Sequence, residues 1–217
     1  MANQVIYGRR PVAEAERGRR RVHRVWRAPE TSAEELERLC GSPDHQGVVA
    51  EVDPYPYGDP VGLLRREGAL LVALDQVQDP RNLGAVCRSA EFAGGAGVVI
   101  PERRAAMITP ATCKASAGAV EHIEVAHVRN LADWLAEAKQ AGFWIWGADA
   151  EAKQSPWQTD LTGPTVLVLG GEGKGLRPRV AASCDGLVAL PQHGQVESLN
   201  VSAAATALLF EALRQRS

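Results

Sequence analysis

Three segments of the sequence combine glycines with polar side chains in patterns that could do chemistry. They are residues 75–84 with Arg88 just beyond, residues 170–176, and residues 191–202. The second segment has four glycines within six residues around the carboxylate of Glu172, so a ligand could approach its backbone closely. Two familiar nucleotide motifs fail there. A P-loop would need Gly at Val168 and Ser or Thr at Gly175, and G-x-G-x-x-G would need a third Gly at Leu176.

Each of these features also has a plain structural explanation. Asn82 is a suitable N-cap for a helix, and Arg88 would leave the apolar stripe of that helix and face solvent. Ser198 or Asn200 could cap the helix that follows the third segment. His193 lacks a partner at metal-ligand spacing, and the four cysteines are far apart, so we expect no metal site.

The segments follow or precede short apolar runs that alternate with helical patterns. Continuous apolar strands between helices predict a parallel sheet covered on both faces, with ligands beyond the carboxyl ends of its strands. The predicted strands are 69–74, 97–100, 123–128, 143–147, 165–169 and 187–190. The predicted helices are 82–93, 110–118, 131–141, 178–183 and 198–214.

A proline-rich segment at residues 53–60 separates this pattern from a smaller one before it. The smaller pattern predicts a helix that opens at Pro11, a strand over 22–26, a helix capped by Thr31 or Ser32, and a strand over 47–52. We therefore expect a small α/β domain over 1–52, a linker over 53–67 and a larger domain over 68–217.

Positive charge is concentrated at the start of the chain. The 217 residues include 24 Lys+Arg and 26 Asp+Glu, a net charge of −2, yet eight of twenty arginines precede residue 28. Guanidinium groups bind phosphate by a planar fork, so the cluster is a candidate RNA contact, although composition alone favours the alternative of a solvated helix face. The candidate RNA-contacting residues are Arg9, Arg10, Arg19, Arg20 and Arg21.

In order and spacing, the three segments resemble the SpoU/TrmH family of RNA ribose 2′-O-methyltransferases, within the SPOUT superfamily. The matching stretches are Asn82-Leu83-Gly84 with Arg88, residues 170–176, and Pro191 with residues 197–202. Residues 7–12 and 45–50 are similar to the L30e-like RNA-binding domain of the subgroup that modifies 23S rRNA. The stretch between Trp26 and His45 is shorter than is usual in that subgroup.

The resemblance implies a Rossmann-like, mostly parallel sheet with a C-terminal deep trefoil knot, and a homodimer with a shared active site. It implies S-adenosylmethionine as the cofactor, contacted largely through backbone groups. The implied cofactor contacts are Leu169, Gly170, Gly171, Leu190 and Leu199. The implied catalytic residues are Asn82, Arg88, Glu172, Ser198 and Asn200.

The expected reaction is methylation of a ribose 2′-hydroxyl, most directly of a guanosine in 23S rRNA. Alternatives are an antibiotic-resistance 23S rRNA methyltransferase, a tRNA methyltransferase, and an RNA-binding protein without turnover. A guanidinium keeps its proton at neutral pH, so we favour Arg88 as an orienting group, with a base role or Glu172 as base left open. We expect a cytoplasmic protein without a membrane span, because no apolar stretch is long enough.

Overall fold

The computed structural model describes residues 3–171, 173, 175–196 and 198–217, and within them the chain forms two β-sheets. The larger sheet has six strands in the order β6-β5-β4-β8-β7-β9, and all its pairings between described residues are parallel. These strands are β4 (Leu70–Asp75), β5 (Gly97–Pro101), β6 (Glu124–Val128), β7 (Trp144–Ala148), β8 (Thr165–Gly170) and β9 (Gly186–Val188). The predicted α/β fold with a mostly parallel sheet is confirmed.

Helices connect these strands and cover the sheet. They are α3 (Pro60–Leu63), α4 (Pro80–Phe92), α5 (Pro110–Ala115), α6 (Leu131–Gln140), α7 (Pro178–Ala182) and α8 (Val201–Arg216). Central strands are buried on both faces, which explains their unbroken apolar runs: all six residues of β4 are buried. Near the end of α8, Arg216 donates to the backbone oxygens of Leu161 (2.7 Å) and Gly68 (2.7 Å), which ties the helix to the loop before β4.

Two predicted helix starts need correction or refinement. The N-cap of α4 is Asp79, not Asn82, because the Asp79 carboxylate accepts the Arg81 amide (2.7 Å) and Pro80 occupies the first helical position. Of the two proposed caps for the last helix, Asn200 is the one used. Its side-chain oxygen accepts the Ser202 amide at 2.8 Å, so α8 begins three residues later than expected.

The smaller sheet has three antiparallel strands in the order β1-β3-β2. They are β1 (Gln4–Tyr7), β2 (Val22–Arg27) and β3 (Val48–Val52), with helices α1 (Arg9–Ala15) and α2 (Ala33–Cys40). Strand β1 was not predicted, because four residues with mixed polarity give too short a pattern to detect. Ser32 caps α2 by accepting the Glu35 amide, as one of the two predicted alternatives.

The two sheets share one apolar core. Ile6, Val12 and Ala50 of the smaller unit belong to the same buried cluster as Leu83 and Cys113 of the larger one. The segment predicted as a linker is also packed: Tyr55 is buried, and its hydroxyl contacts the backbone oxygens of Val120 and Ile123 (3.2 and 3.1 Å). The boundaries at 52 and 67, the L30e-like relationship and the trefoil knot stay predictions.

A buried ion pair crosses the junction between the two units. Arg20 donates through Nε to Glu121 at 2.9 Å and through a second nitrogen to the other carboxylate oxygen, and both side chains are fully buried. Arg20 also donates to Gln4 Oε1 (3.0 Å) and to Cys113 Sγ (3.4 Å). Burial lowers the pKa of Arg20, but the hydrogen bonds and charges of Glu121 and Cys113 together outweigh burial and the pKa is raised, so the guanidinium stays charged.

Membrane insertion through a helix has no candidate in the described part of the chain. No helix there combines the length and the apolar composition that a bilayer span requires.

Candidate active site

The first and third polar segments meet where α4 and α8 begin. Asn200 Nδ2 donates to Asn82 Oδ1 at 3.0 Å, although the two residues are 118 positions apart. Asn82 is nearly buried, whereas Asn200 is exposed. The Asn200 side-chain oxygen also accepts from the Ser202 hydroxyl at 2.6 Å. The structure thus brings together two of the five predicted catalytic residues by direct contact.

Packing between α4 and α8 continues beyond this contact. Ser89 and Thr206 share a hydrogen bond of 2.7 Å between their hydroxyls, and Thr206 also donates to the Ser202 backbone oxygen at 2.8 Å. Arg88, which precedes Ser89, is exposed as the helical pattern predicts. Within the described residues no hydrogen bond or ion pair engages the Arg88 guanidinium, so its donors face solvent.

The glycine-rich segment follows β8 and packs tightly on the end of β4. The Gly171 amide donates to the Asp75 backbone oxygen at 2.8 Å, and the Gly175 amide returns to the Gly171 oxygen at 3.2 Å. A Cβ on Gly171 would lie 2.6 Å from the Gln76 backbone oxygen, and one on Gly170 would overlap the backbone of Gly175. Glycine is required here because two backbones pass in contact.

A buried carboxylate, which was not predicted from the sequence, secures the other end of this segment. Asp75 has no exposed surface and accepts from the Arg177 amide (2.8 Å) and from Arg177 Nε (2.7 Å). A further Arg177 nitrogen lies 2.7 Å from the same carboxylate. The available signal was an acid directly after a buried apolar run, at the carboxyl end of a parallel strand.

The remaining predicted site residues differ in placement. Leu169 is buried, so only its backbone is available to a ligand, while Leu190 is half-buried. Leu199 and Ser198 are exposed on the segment that leads to α8. Glu172 lies outside the described residues.

The predicted RNA-contacting arginines separate into two groups. Arg9, Arg10 and Arg21 are exposed. Arg19 uses its guanidinium to bond the Ile123 backbone oxygen (2.7 Å) and the Tyr55 hydroxyl (3.0 Å). The prediction for Arg20 is wrong, because its guanidinium is buried against Glu121 and cannot reach a phosphate. A run of arginines in sequence does not show which members point into a core.

No cluster of potential metal ligands occurs among the described residues. His193 is exposed. The Cys87 and Cys113 thiols are buried, and burial raises the pKa of both, that of Cys113 to about 11, which keeps it protonated.

Two family models match the chain. The SpoU rRNA Methylase family matches residues 69–210, and the model for RNA 2′-O ribose methyltransferase substrate binding matches residues 27–58. Both matches fit the division into two sheets, with the second model lying on the smaller unit and the segment after it.

Individual relatives agree with these matches. The chain is 48% identical to the 23S rRNA (guanosine-2′-O-)-methyltransferase RlmB of Pseudomonas syringae over 80% of this chain and 71% of the relative. It is 37% identical to the putative TrmH family tRNA/rRNA methyltransferase YacO of Bacillus subtilis, over 98% and 96% of the two chains. The crystal structure of the SpoU methyltransferase AviRb from Streptomyces viridochromogenes superposes with a TM-score of 0.82 at 30% identity, covering 99% of this chain and 90% of that one. The chain described here therefore belongs to the SpoU rRNA methylase family.

Proposed function

We propose that this chain methylates a ribose 2′-hydroxyl of RNA, with S-adenosylmethionine as the methyl donor and a guanosine of 23S rRNA as the target. The observation that carries the proposal is the Asn82–Asn200 contact, which joins the first and third family motifs. The target follows the printed activity of the Pseudomonas syringae relative. YacO is named for tRNA/rRNA, so tRNA is the second candidate substrate.

The residues present fit the proposed cofactor. Val196 and Leu199 are exposed apolar side chains on the segment before α8, and such surface suits contact with a flat, weakly polar adenine. A Cβ on Gly173, Gly175 or Gly194 would meet nothing within 4 Å, so the loops are open on that side. AviRb has also been crystallised with AdoMet. When bound, S-adenosylmethionine supplies a methyl group activated by a sulfonium sulfur.

The proposed roles of the side chains follow from their surroundings. The solvent-facing guanidinium of Arg88 would bind a substrate phosphate through its planar fork and orient the adjacent ribose. Asn82 and Asn200, held together at the start of two helices, would fix the backbone that borders the ribose. Ser198 would line the same opening. Because positioning accounts for much of such a transfer, no strong base is required beyond a phosphate oxygen or Glu172.

We further propose that the active enzyme is a homodimer whose interface includes α4 and α8. Phe92 and Phe210 are exposed by 73% and 43%, and their rings stack at 5.9 Å across the two helices. Phe92 lies one turn after Arg88, so a second copy seated on this aromatic pair would reach the site. Two exposed phenylalanines in contact are typical of a protein interface.

We also propose that the protein is located in the cytoplasm, because its proposed substrate is ribosomal RNA.

The dimer proposal is tested by sedimentation of the Phe210→Glu variant beside Phe92→Glu. Both should sediment as monomers and lose methyl transfer, with Trp157→Glu as a control for an exposed aromatic ring elsewhere. A monomeric wild-type protein with full activity would rule the interface out.

The function is tested by transfer of labelled methyl groups to 23S rRNA fragments and to tRNA, followed by mapping of the modified ribose. We expect incorporation at a guanosine of 23S rRNA. Incorporation into tRNA alone would identify tRNA, the second candidate, as the substrate. Incorporation into neither RNA would contradict the proposal. Thermal melting provides an independent check, because only a ligand of the native state raises the melting temperature. S-adenosylmethionine should raise it, whereas NAD, the ligand type of the G-x-G-x-x-G motif that this sequence lacks, should not.

A further inference from the structure

A groove lies at the junction of the smaller and larger units, and neither Asn82 nor Asn200 lines it. Its volume is about 570 Å³. Arg9, Arg10 and Gln46 line it from the smaller unit, and Lys114 of α5 lines it from the larger one. Lys114 was not predicted from the sequence, because a lone lysine on a short helix forms no pattern.

The cations of the groove are held in place but keep free donors. Arg9 donates from Nε to the Gln46 backbone oxygen at 3.2 Å, which uses one of its five N–H groups. Lys114 donates to the Asp44 backbone oxygen at 2.6 Å and lies 5.5 Å from the centre of the Tyr7 ring. The pKa of Lys114 is lowered, because partial burial outweighs the opposing effect of the nearby Asp44 charge. Arg10 is exposed.

Positive charge in the groove is not cancelled by the acids that follow in sequence. Glu14 accepts from His122 at 2.8 Å and lies 3.7 Å from Arg17. Glu16 pairs with Arg27 at 2.9 Å. Asp44 is therefore the acidic neighbour that acts on Lys114, against three cations.

The packing of α5 on α4 brings Lys114 of the groove near the candidate active site. Gly84 of α4 contacts α5 so closely that a Cβ there would lie 2.7 Å from the Cβ of Ala115, the residue after Lys114. Because packed helix axes are about 8–10 Å apart, Lys114 and the helix that carries Asn82 and Arg88 are within reach of one RNA strand.

We propose that this groove is a phosphate-binding subsite for the RNA backbone, formed jointly by Arg9 and Arg10 of the smaller unit and Lys114 of the larger one. The proposal rests on RNA being the substrate, as argued above. Three cations from two rigidly joined units suit consecutive phosphates of a strand, since phosphate contacts position a nucleic acid without reading its sequence. The groove would thus set the register in which a strand enters the site.

The test is equilibrium binding of a labelled 23S rRNA transcript by the full chain, measured from about 50 to 300 mM salt. Arg10→Gln and Lys114→Gln should each lower the slope of log K against log salt by about 0.7–0.9 and weaken binding about five- to tenfold near 0.1 M salt. The double variant should lose about the sum of both slopes. Arg65→Gln, which changes an exposed arginine outside the groove, serves as the matched control.

Lys114→Arg keeps the positive charge and should retain the wild-type slope. This variant therefore distinguishes a loss of charge in Lys114→Gln from a defect in folding. Slopes that stay at the wild-type value in Arg10→Gln and Lys114→Gln would overturn the proposal. Methyl transfer by the wild-type chain to the same transcript is measured in parallel. Normal transfer with unchanged slopes rejects the groove alone, whereas absence of transfer by the wild type rejects the proposed function.

Discussion

At the residue scale, Arg88 and Asp75 show two opposite ways in which a charged side chain serves the site. Arg88 faces solvent, so its guanidinium is available to a ligand. Asp75 is completely buried, and its carboxylate is occupied by Arg177. The first is placed to contact substrate, whereas the second can act only by holding the glycine-rich segment in position.

Replacing Arg88 by alanine should reduce methyl transfer at least about 100-fold, the usual cost of removing one group that stabilises charge in a transition state. Binding of S-adenosylmethionine, followed by thermal shift, should stay near the wild-type value. Arg65→Ala removes another exposed arginine and should leave both measurements unchanged. Near-normal turnover by Arg88→Ala would refute the assignment.

Replacing Asp75 by asparagine should weaken cofactor binding and lower stability together. The change removes the negative charge that accepts three close contacts from Arg177. A hydrogen bond to a charged group contributes about 1.5–3 kcal/mol, but the partly exposed Arg177 guanidinium can bond to water instead. We expect a loss of about 2 kcal/mol in the free energy of unfolding and a higher KM for S-adenosylmethionine. Asp133→Asn breaks the exposed Arg179 pair and is the control. An unchanged KM in Asp75→Asn would show that the Asp75–Arg177 contact has no influence on cofactor binding.

At the element scale, α4 is the helix on which the site depends. Its first turn carries Asn82, its outer face carries Arg88, and it packs on both α5 and α8. The contact with α5 is made possible by Gly84, since a Cβ there would lie 2.7 Å from the Thr112 backbone oxygen. A backbone oxygen cannot move aside as a flexible side chain can, so any larger residue must displace the whole of α4.

Gly84→Ala should therefore destabilise the protein, although alanine is the better helix former. Overpacking costs about 1–3 kcal/mol, against about 1 kcal/mol gained in helix propensity. We also expect reduced methyl transfer, because α4 shifts relative to Asn200. Urea denaturation and activity are measured beside Gly163→Ala, where a Cβ meets nothing within 4 Å. Wild-type stability in Gly84→Ala would show that α4 and α5 can separate at no cost.

Sequence patterns predicted the elements of the larger sheet better than the contacts between them. The buried runs gave β4 and β8 to within a residue or two, because strands covered on both faces leave an unbroken apolar signal. The roles of Asp75 and Lys114 were not predicted, because they depend on tertiary neighbours that are distant in sequence. The same reason explains the error at Arg20, whose partner Glu121 is about a hundred residues away.

At the scale of the whole molecule, the smaller unit is fixed to the larger one rather than tethered to it. The shared apolar core and the Arg20–Glu121 pair both cross the junction. With the RNA-binding role proposed above for the smaller unit, this attachment would keep the cations of that unit at a constant distance from Arg88. RNA recognition and methyl transfer should then respond together to any change that loosens the junction.

Arg20→Met should lower the free energy of unfolding by about 3–5 kcal/mol, because it leaves the buried Glu121 carboxylate without its partner. The double variant Arg20→Met/Glu121→Leu should recover most of that loss, since apolar pairs replace buried ion pairs at little cost. Urea denaturation measures both, and the KM for RNA reports the coupling of the units. If Arg20→Met alone were as stable as the wild type, the ion pair would not hold the junction.

The position of α8 has a consequence for when the enzyme becomes competent during its own synthesis. Asn200 caps this helix and meets Asn82 across 118 residues, so the contact can form only after α8 has left the ribosome. Contacts of such sequence separation form late and slowly in folding. Until α8 has emerged, a nascent chain, although synthesised beside abundant ribosomal RNA, therefore has no assembled site with which to modify it.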